Sequence, residues 1–190
     1  MNNKIGRIHI TKLNASLRQL ETAVILWFND ADAISVHTLA SAAYQILYDL
    51  NKHQNGPPLL PDLPASNIIR PESRKEVKRA MREWANFMKH ADKDPSAIAS
   101  FNPNTNEFLL LYAIETYSTL TRDIRPILQC FRAWFAIIHP DLFSGQGFQE
   151  FNERITKVFQ INQRSQINKI KFFNETLSIF TSGLISTTTE

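Results

Sequence analysis

The sequence predicts an all-α protein, and three observations support this prediction. Apolar residues recur at spacings of three and four along most of the chain, which is the pattern of amphipathic helices. No segment alternates convincingly with a period of two, as a half-buried strand would. Glycine occurs only 5 times in 190 residues, which argues against a turn-rich β-sandwich. We therefore expect a compact bundle of six to seven helices, with one domain at 1–182 and a frayed tail at 183–190.

The first half of the chain begins with two predicted helices. The first, at about 10–29, has leucine, valine and tryptophan at helical spacing and polar residues on its other side. The second, at about 35–53, has Ser35 as its expected N-cap because a serine side chain can accept a bond from the first free amides. Its apolar positions are Leu39, Ala43, Ile46, Leu47 and Leu50.

A long proline-rich loop follows at 54–72 and separates the second helix from the third. Its prolines forbid a regular helix, since each removes an amide donor and clashes with the preceding turn. We favour a strap that packs Leu59, Leu60 and Leu63 over a pair of helices. The alternative is a substrate lid or a partner-docking segment, because loops of this length are often functional.

The third predicted helix, at about 73–92, has Ser73 as its expected cap. Its apolar residues fall on one side when they are placed 100° apart. We expect this face to be the core face, and its members are Val77, Ala80, Met81, Trp84, Phe87, Met88 and Ala91.

Four further helices complete the expected bundle. The fourth, at about 105–121, is apolar nearly all round, which is typical of a central helix. We predict a capping box there, with Glu107 three residues after Asn104. The fifth begins near Asp123 and Pro126 and is stopped by His139 and Pro140. The last two are expected at about 146–162 and 166–182.

Familiar catalytic templates are missing from the sequence. There is no phosphate-binding glycine loop, no dinucleotide fingerprint, no zinc-protease motif and no serine nucleophile elbow. The glutamates also lack the histidine three residues later that a di-iron bundle requires. The sequence therefore gives no support to the standard hydrolase, oxidase and nucleotide-hydrolysing classes.

Composition limits the compartment and the partners. The net charge is +3, which is much less basic than a protein that coats nucleic acid. The first residues lack the apolar core of a signal peptide, and no run approaches the length of a membrane span. We expect a cytoplasmic protein that does not associate with membranes. The single cysteine, Cys130, lies in an apolar run and predicts a buried, inert thiol.

The five histidines carry different expectations. His139 precedes a proline at a helix end, which suits a partner for the helix dipole. His37 lies near the start of the second helix, where the dipole favours the neutral ring. We expect His37 to make a structural bond to a loop rather than to act in catalysis. His9 and His53 lie near element ends and are expected in solvent.

The densest chemistry lies on the third helix. Between Arg70 and Lys89 there are seven basic and three acidic residues, a net charge of +4 that exceeds that of the whole chain. Helical geometry places Arg79, Arg82, Glu83, Asn86 and His90 opposite the apolar face. We name the set Arg79, Arg82, Asn86, Lys89 and His90 the basic stripe.

The basic stripe has three interpretations. The first is simply the solvated side of a helix. The second is a surface for a ligand or a partner, because arginine holds phosphate in a bidentate manner. The third is metal-free phosphodiester cleavage by Arg82, Asn86 and His90, since histidine can transfer a proton at neutral pH.

A metal site is the last alternative in this region. His90, Asp92 and Asp94 lie close together in sequence, and carboxylates can hold divalent ions. The same residues also form an ordinary helix exit and turn. We favour the turn, and we expect neither a metal nor a cofactor.

Two resemblances add to this interpretation. The segments ITKLNASLRQLETAVILWF, SVHTLASAAYQILYDL and ANFMKHADKDP resemble a group of uncharacterised bacterial proteins. More remotely, the order of long helices with a late arginine and histidine is similar to HEPN domains. That similarity implies an all-α homodimer and a metal-independent ribonuclease of a toxin or antiphage system. The HEPN pattern has four to six residues between its arginine and its histidine, whereas seven lie between Arg82 and His90 in this chain.

From these observations we expect a cytoplasmic helical binding or interaction module whose functional surface is the basic stripe. Its partner is expected to be RNA or a protein. The alternative is an HEPN-like endoribonuclease that uses Arg82, Asn86 and His90. A third class is a metal-dependent hydrolase that uses His90 and Asp92.

Overall fold

The computed structural model describes residues 7–59, 74–92, 94–142, 150, 153, 156–157 and 167–182. Within these ranges the side chains of residues 74–78, 80 and 141 are not described. The described residues form helices, turns and loops and contain no strand. The all-α class is therefore confirmed for the described part of the chain.

Six α-helices have defined bounds, and we number them in chain order. They are α1 (Lys12–Phe28), α2 (Ala33–His53), α3 (Arg74–Phe87), α4 (Thr105–Thr121), α5 (Pro126–Ile138) and α6 (Lys169–Thr181). A short 3-10 helix, Pro140–Leu142, follows α5. Packing joins α1 to α2, α2 to α4, and α5 to α6, so that α1, α2, α4, α5 and α6 form the bundle. The third helix, α3, packs against α2.

Helix ends are fixed by side-chain caps in three places. Thr11 accepts a bond from the Asn14 amide at 3.1 Å, and α1 begins there. Asp32 accepts a bond from the Ser35 amide at 2.7 Å, so α2 begins two residues earlier than predicted. The prediction of Ser35 as the cap was wrong because the carboxylate of Asp32 reaches the same free amides first. Asn168 caps α6 in the same way.

The centre of the bundle is made by α4 and α5, as their apolar sequences predicted. The bounds of α4 match the prediction, and eight of the thirteen residues of α5 are buried. Pro126 occupies the first turn of α5, and His139 is its C-cap. The predicted capping box was wrong. Asn104 makes no side-chain cap bond, and the Glu107 carboxylate bonds the His139 ring at 3.0 Å instead.

Aromatic rings fill the space between α1, α5 and α6. Trp27 lies 5.1 Å from Phe131 and 4.2 Å from Trp134, measured between ring centroids. Phe28 stacks on Phe173 of α6 at 4.7 Å. Edge and offset contacts of this kind add to the free energy gained from burying the rings. These rings fix how the three helices pack together.

The third helix is shorter than predicted, and its apolar face is less buried. It ends at Phe87 rather than near residue 92. Met81, Trp84 and Met88 are half-buried, whereas Phe87 is exposed, and so is Ala91 beyond the helix end. The prediction of Phe87 and Ala91 as core residues was therefore wrong. Val77 and Ala80 have no described side chains.

Several predictions fall on residues outside the described ranges. Leu59 is buried at the end of the described part of the proline-rich loop, whereas residues 60–73, with Leu60, Leu63 and the predicted cap Ser73, lie outside the described residues. Of the helix predicted at 146–162, the structure describes four helical residues only, namely Glu150, Glu153, Thr156 and Lys157. The tail at 183–190 is also outside. Within the described ranges, none of the helices has the length and hydropathy needed to cross a lipid bilayer.

Candidate functional site

The basic stripe lies in solvent along α3 and the turn that follows it. Its five members, Arg79, Arg82, Asn86, Lys89 and His90, are all exposed. The His90 amide donates to the Asn86 carbonyl at 3.0 Å, in the turn that follows Phe87. Arg82 and Asn86 are four residues apart on α3 and therefore lie one above the other. His90 follows the end of the helix, so the helix itself aligns only the first two of the three residues that the sequence singled out.

Charge along the stripe is partly compensated. Arg79 forms an ion pair with Glu83, with 3.4 Å between Nε and Oε1, and both side chains are exposed. Exposed pairs at this spacing contribute little to stability. From residue 79 to residue 90 three cations face this one anion, so the surface keeps a positive charge.

The opposite face of α3 attaches the stripe to the bundle through a chain of aromatic rings. The Trp84 ring lies 5.2 Å from the Phe101 ring, which in turn lies 5.1 Å from the His37 ring of α2. The Thr38 hydroxyl donates to the Met88 sulfur at 3.8 Å. Such contacts are individually weak. The described side chains therefore provide few attachments between the bundle and the helix that carries the stripe.

His37 is the polar centre of this attachment. Its side chain is buried, with 1% of its surface exposed. The Asn106 amide nitrogen donates to the Ala33 carbonyl at 2.9 Å, so its Oδ1 is left as the acceptor that lies 2.9 Å from His37 Nδ1. It follows that Nδ1 carries the hydrogen and that Nε2 carries the lone pair. Within the described part of the chain, that Nε2 has no hydrogen-bond partner, and neither has the Ser41 hydroxyl one turn further along α2.

The surroundings of His37 favour its neutral form. Burial lowers the pKa of the ring below its ordinary value, and the positive charge of Lys89 acts in the same direction. The bond to Asn106 opposes both effects. The expected structural hydrogen bond is present, but the prediction of a loop partner was wrong because Asn106 lies in α4. The lowered pKa agrees with a neutral ring, and burial rather than the helix dipole is its main cause.

The structure also locates the other histidines and the cysteine that the sequence singled out. His139 lies at the end of α5, where its ring bonds Glu107 and packs 4.4 Å from Phe135. Cys130 is fully buried, and burial raises the pKa of its thiol to about 12, so an inert thiol is confirmed. His9 and His53 are exposed, as expected.

The described residues contain no group of three or more histidine, cysteine, aspartate or glutamate side chains arranged to hold a metal ion. His90, Asp92 and Asp94 are exposed around the turn that leaves α3. This finding gives the hydrolase alternative no structural support in that part of the chain.

Sequence analysis missed two members of the attachment, Asn106 and Phe101. Asn106 is separated from His37 by 69 positions, so no local pattern could indicate the contact. Phe101 lies in a polar connection between two helices, where a lone aromatic residue has no periodic partners. One signal in the sequence could have indicated Asn106: it is a polar residue in the first turn of a helix whose other residues are mostly apolar and buried.

Comparison with known proteins does not assign the chain to a family. No protein-family model matches the chain, and no match was found among curated proteins or among solved structures. The resemblances to a bacterial group and to HEPN domains therefore stay predictions.

Proposed function

We propose that the protein is a binding module that holds RNA on the basic stripe. One observation carries the proposal: five neighbouring polar residues with a positive balance of charge face solvent together, on a helix that is attached by its opposite side. Arginine and lysine neutralise phosphates, and asparagine can bond the edge of a base. Phe87 is 38% exposed beside the stripe and offers a ring on which a base can stack.

The partner is proposed to be single-stranded RNA because the major groove of an RNA duplex is too deep and narrow for the side chains of a helix to reach the bases. Affinity would come mainly from phosphate contacts and would fall steeply as the salt concentration rises. We place this activity in the cytoplasm, a location supported by the single buried thiol and the lack of any disulfide pair.

The test is fluorescence anisotropy with a labelled single-stranded RNA at several salt concentrations. Arg82→Ala should weaken binding and reduce the slope of log K against log salt by about 1, the loss expected for one phosphate contact. Arg18→Ala is the matched control, because Arg18 is an exposed arginine on α1, away from the stripe. It should leave both quantities unchanged.

Three results would contradict the proposal. The first is an absence of RNA binding, and the second is an equal effect of Arg82→Ala and Arg18→Ala. The third is binding of polyglutamate through Arg82 without binding of RNA, which would assign the stripe to an acidic protein partner.

An HEPN-like endoribonuclease is the second candidate. The exposure of Arg82, Asn86 and His90 favours it, together with the bond from the His90 amide to the Asn86 carbonyl, which ties the His90 backbone to the end of α3. Arg82 would hold the scissile phosphate, Asn86 would orient the ribose, and His90 would transfer the proton. All three side chains are exposed, so a second copy of the chain is proposed to close the cleft.

Cleavage separates this candidate from simple binding. Wild type and His90→Ala would be incubated with total RNA in EDTA after their circular dichroism spectra have been matched. If the protein is a ribonuclease of this kind, wild type should cut the RNA and His90→Ala should not. Binding by both proteins without cutting would rule out metal-free cleavage of that RNA.

A further inference from the structure

The contact between α2 and the end of α3 depends on one titratable ring. Trp84, Phe101 and His37 form a continuous row, and Met88 bonds Thr38 one position along from His37. This contact carries the second half of the basic stripe, because Lys89 and His90 follow Met88 directly. Anything that disrupts the row therefore moves the stripe relative to the bundle.

His37 has an acceptor atom that has no protein partner. The Asn106 bond fixes the hydrogen on Nδ1, and the buried Nε2 lone pair meets no donor. A proton added at Nε2 would create a cation with a second N–H group and no acceptor for it. Burying an unpaired charge costs far more free energy than burying a neutral ring.

We propose that His37 is a pH-dependent latch. Protonation of His37 releases the end of α3 and Phe101 from α2, and deprotonation restores the contact. The latch is a property of this contact and stands whether or not the basic stripe binds RNA.

Among the described residues, the groups around the ring supply no compensating anion. Lys89 approaches from the segment after α3 and adds a like charge. Asn106 approaches from α4 and is neutral, while Glu107 beside it is paired with His139. On α2 itself the Asp32 carboxylate caps the Ser35 amide, and the loop before α4 contributes the apolar Phe101. The protonated ring is therefore solvated most easily by opening the contact.

The contacts with Phe101, Trp84 and Met88 are also the weakest of those that surround the His37 ring. Its other partners belong to α2 and α4, which are tightly packed against each other and against α1. Aromatic edge contacts and one bond to sulfur hold the α3 side. Opening therefore occurs at α3 rather than inside the bundle.

The direction of the pH dependence follows from the lowered pKa. The ordinary pKa of a histidine is 6.5, and the closed contact holds that of His37 below it. Below pH 6.5 the open state therefore binds more protons than the closed state. The contact is fully stable above pH 6.5 and loses stability as the pH falls towards the pKa of the closed state.

Methionine methyl NMR tests the latch in the intact protein. The chain has three methionines, and two of them, Met81 and Met88, report on α3 directly. In wild type both methyl signals should move together towards solvent-exposed positions as the pH falls, with a midpoint below 6.5. The His37 ring signals should titrate with the same midpoint.

Two variants and one control complete the experiment. His37→Gln cannot take up the proton, so its Met81 and Met88 signals should stay constant over this pH range. Lys89→Gln retains the ring but removes the like charge, so the pKa of His37 in the closed contact should rise and the two methyl signals should change less as the pH falls. His53→Gln removes an exposed histidine from the same helix and should keep the wild-type midpoint.

The proposal is overturned if the two methyl signals do not change while His37 titrates, or if they change equally in His37→Gln. It is also overturned if His53→Gln abolishes the transition. Should His37→Gln fail to fold, Lys89→Gln decides alone, and methyl signals that change as much as in wild type would reject the latch.

Discussion

The bundle core and the third helix show two different ways of attaching a helix to a protein. In the core, α4 and α5 bury most of their surface, and rings such as Phe131 and Phe135 have no exposed surface at all. In contrast, α3 is held by half-buried Met81, Trp84 and Met88 and presents its charged side to solvent. The core determines the fold, whereas the described side chains attach α3 less deeply and leave its charged side in solvent.

This difference also separates two kinds of buried polar group. Within the core, hydroxyls such as those of Thr116 and Thr176 bond a carbonyl of their own helix. At the edge, His37 crosses between helices and keeps one ring nitrogen without a partner. Satisfied groups stabilise without responding to pH, whereas an unsatisfied titratable group makes a contact sensitive to it.

The sharpest test of the core is Phe131→Ala. The ring is fully buried and lies against Trp27, Phe28 and Trp134. Its removal should lower the free energy of unfolding by about 3–5 kcal/mol, because a cavity of that size cannot close completely. Urea unfolding followed by circular dichroism gives the value. A loss below about 1 kcal/mol would mean that the three helices do not depend on this ring.

Trp84→Ala should cost less than Phe131→Ala although tryptophan is the larger residue. The side chain is half-buried and contacts Phe101 and Phe87, so about 1–2 kcal/mol is expected from the apolar area lost. The same urea measurement applies. Equal losses for the two variants would show that α3 is as deeply integrated as α5.

The smallest effect is expected for Arg79→Ala. Its ion pair with Glu83 is exposed at both ends, so the free energy of unfolding should change by no more than about 0.5 kcal/mol. Thermal unfolding at low and high salt provides the comparison. A larger loss that disappears in high salt would indicate that surface charge helps to hold α3.

Sequence reasoning was most successful where one helix decides its own bounds. The apolar stretch of α4 and the early Pro126 of α5 gave the ends of both elements correctly. It failed at the end of α3, because Met88 and Ala91 continue the apolar spacing while the chain already turns after Phe87. It failed again at Glu107, whose carboxylate bonds a histidine 32 positions away rather than its own helix cap.

The candidate site shows the same division between features that depend on one helix and features that depend on distant segments. The exposure of Arg79, Arg82 and Asn86 could be predicted, since it depends only on the position of each residue around one helix. Lys89 and His90 are exposed as well, but they lie in the turn after that helix. The environment of His37 could not, because it requires residues from α4 and from the loop before it. Local spacing contains no information about contacts that form only when distant segments pack.

Native-state hydrogen exchange tests the central contrast between core and α3 most directly. The account predicts that the Ile114 amide, in the middle of α4, exchanges only through global unfolding. The Met88 and His90 amides, which bond the Trp84 and Asn86 carbonyls, should exchange through a local opening of lower free energy. Equal opening free energies for the three amides would contradict the account, because α3 would then be part of the cooperative core.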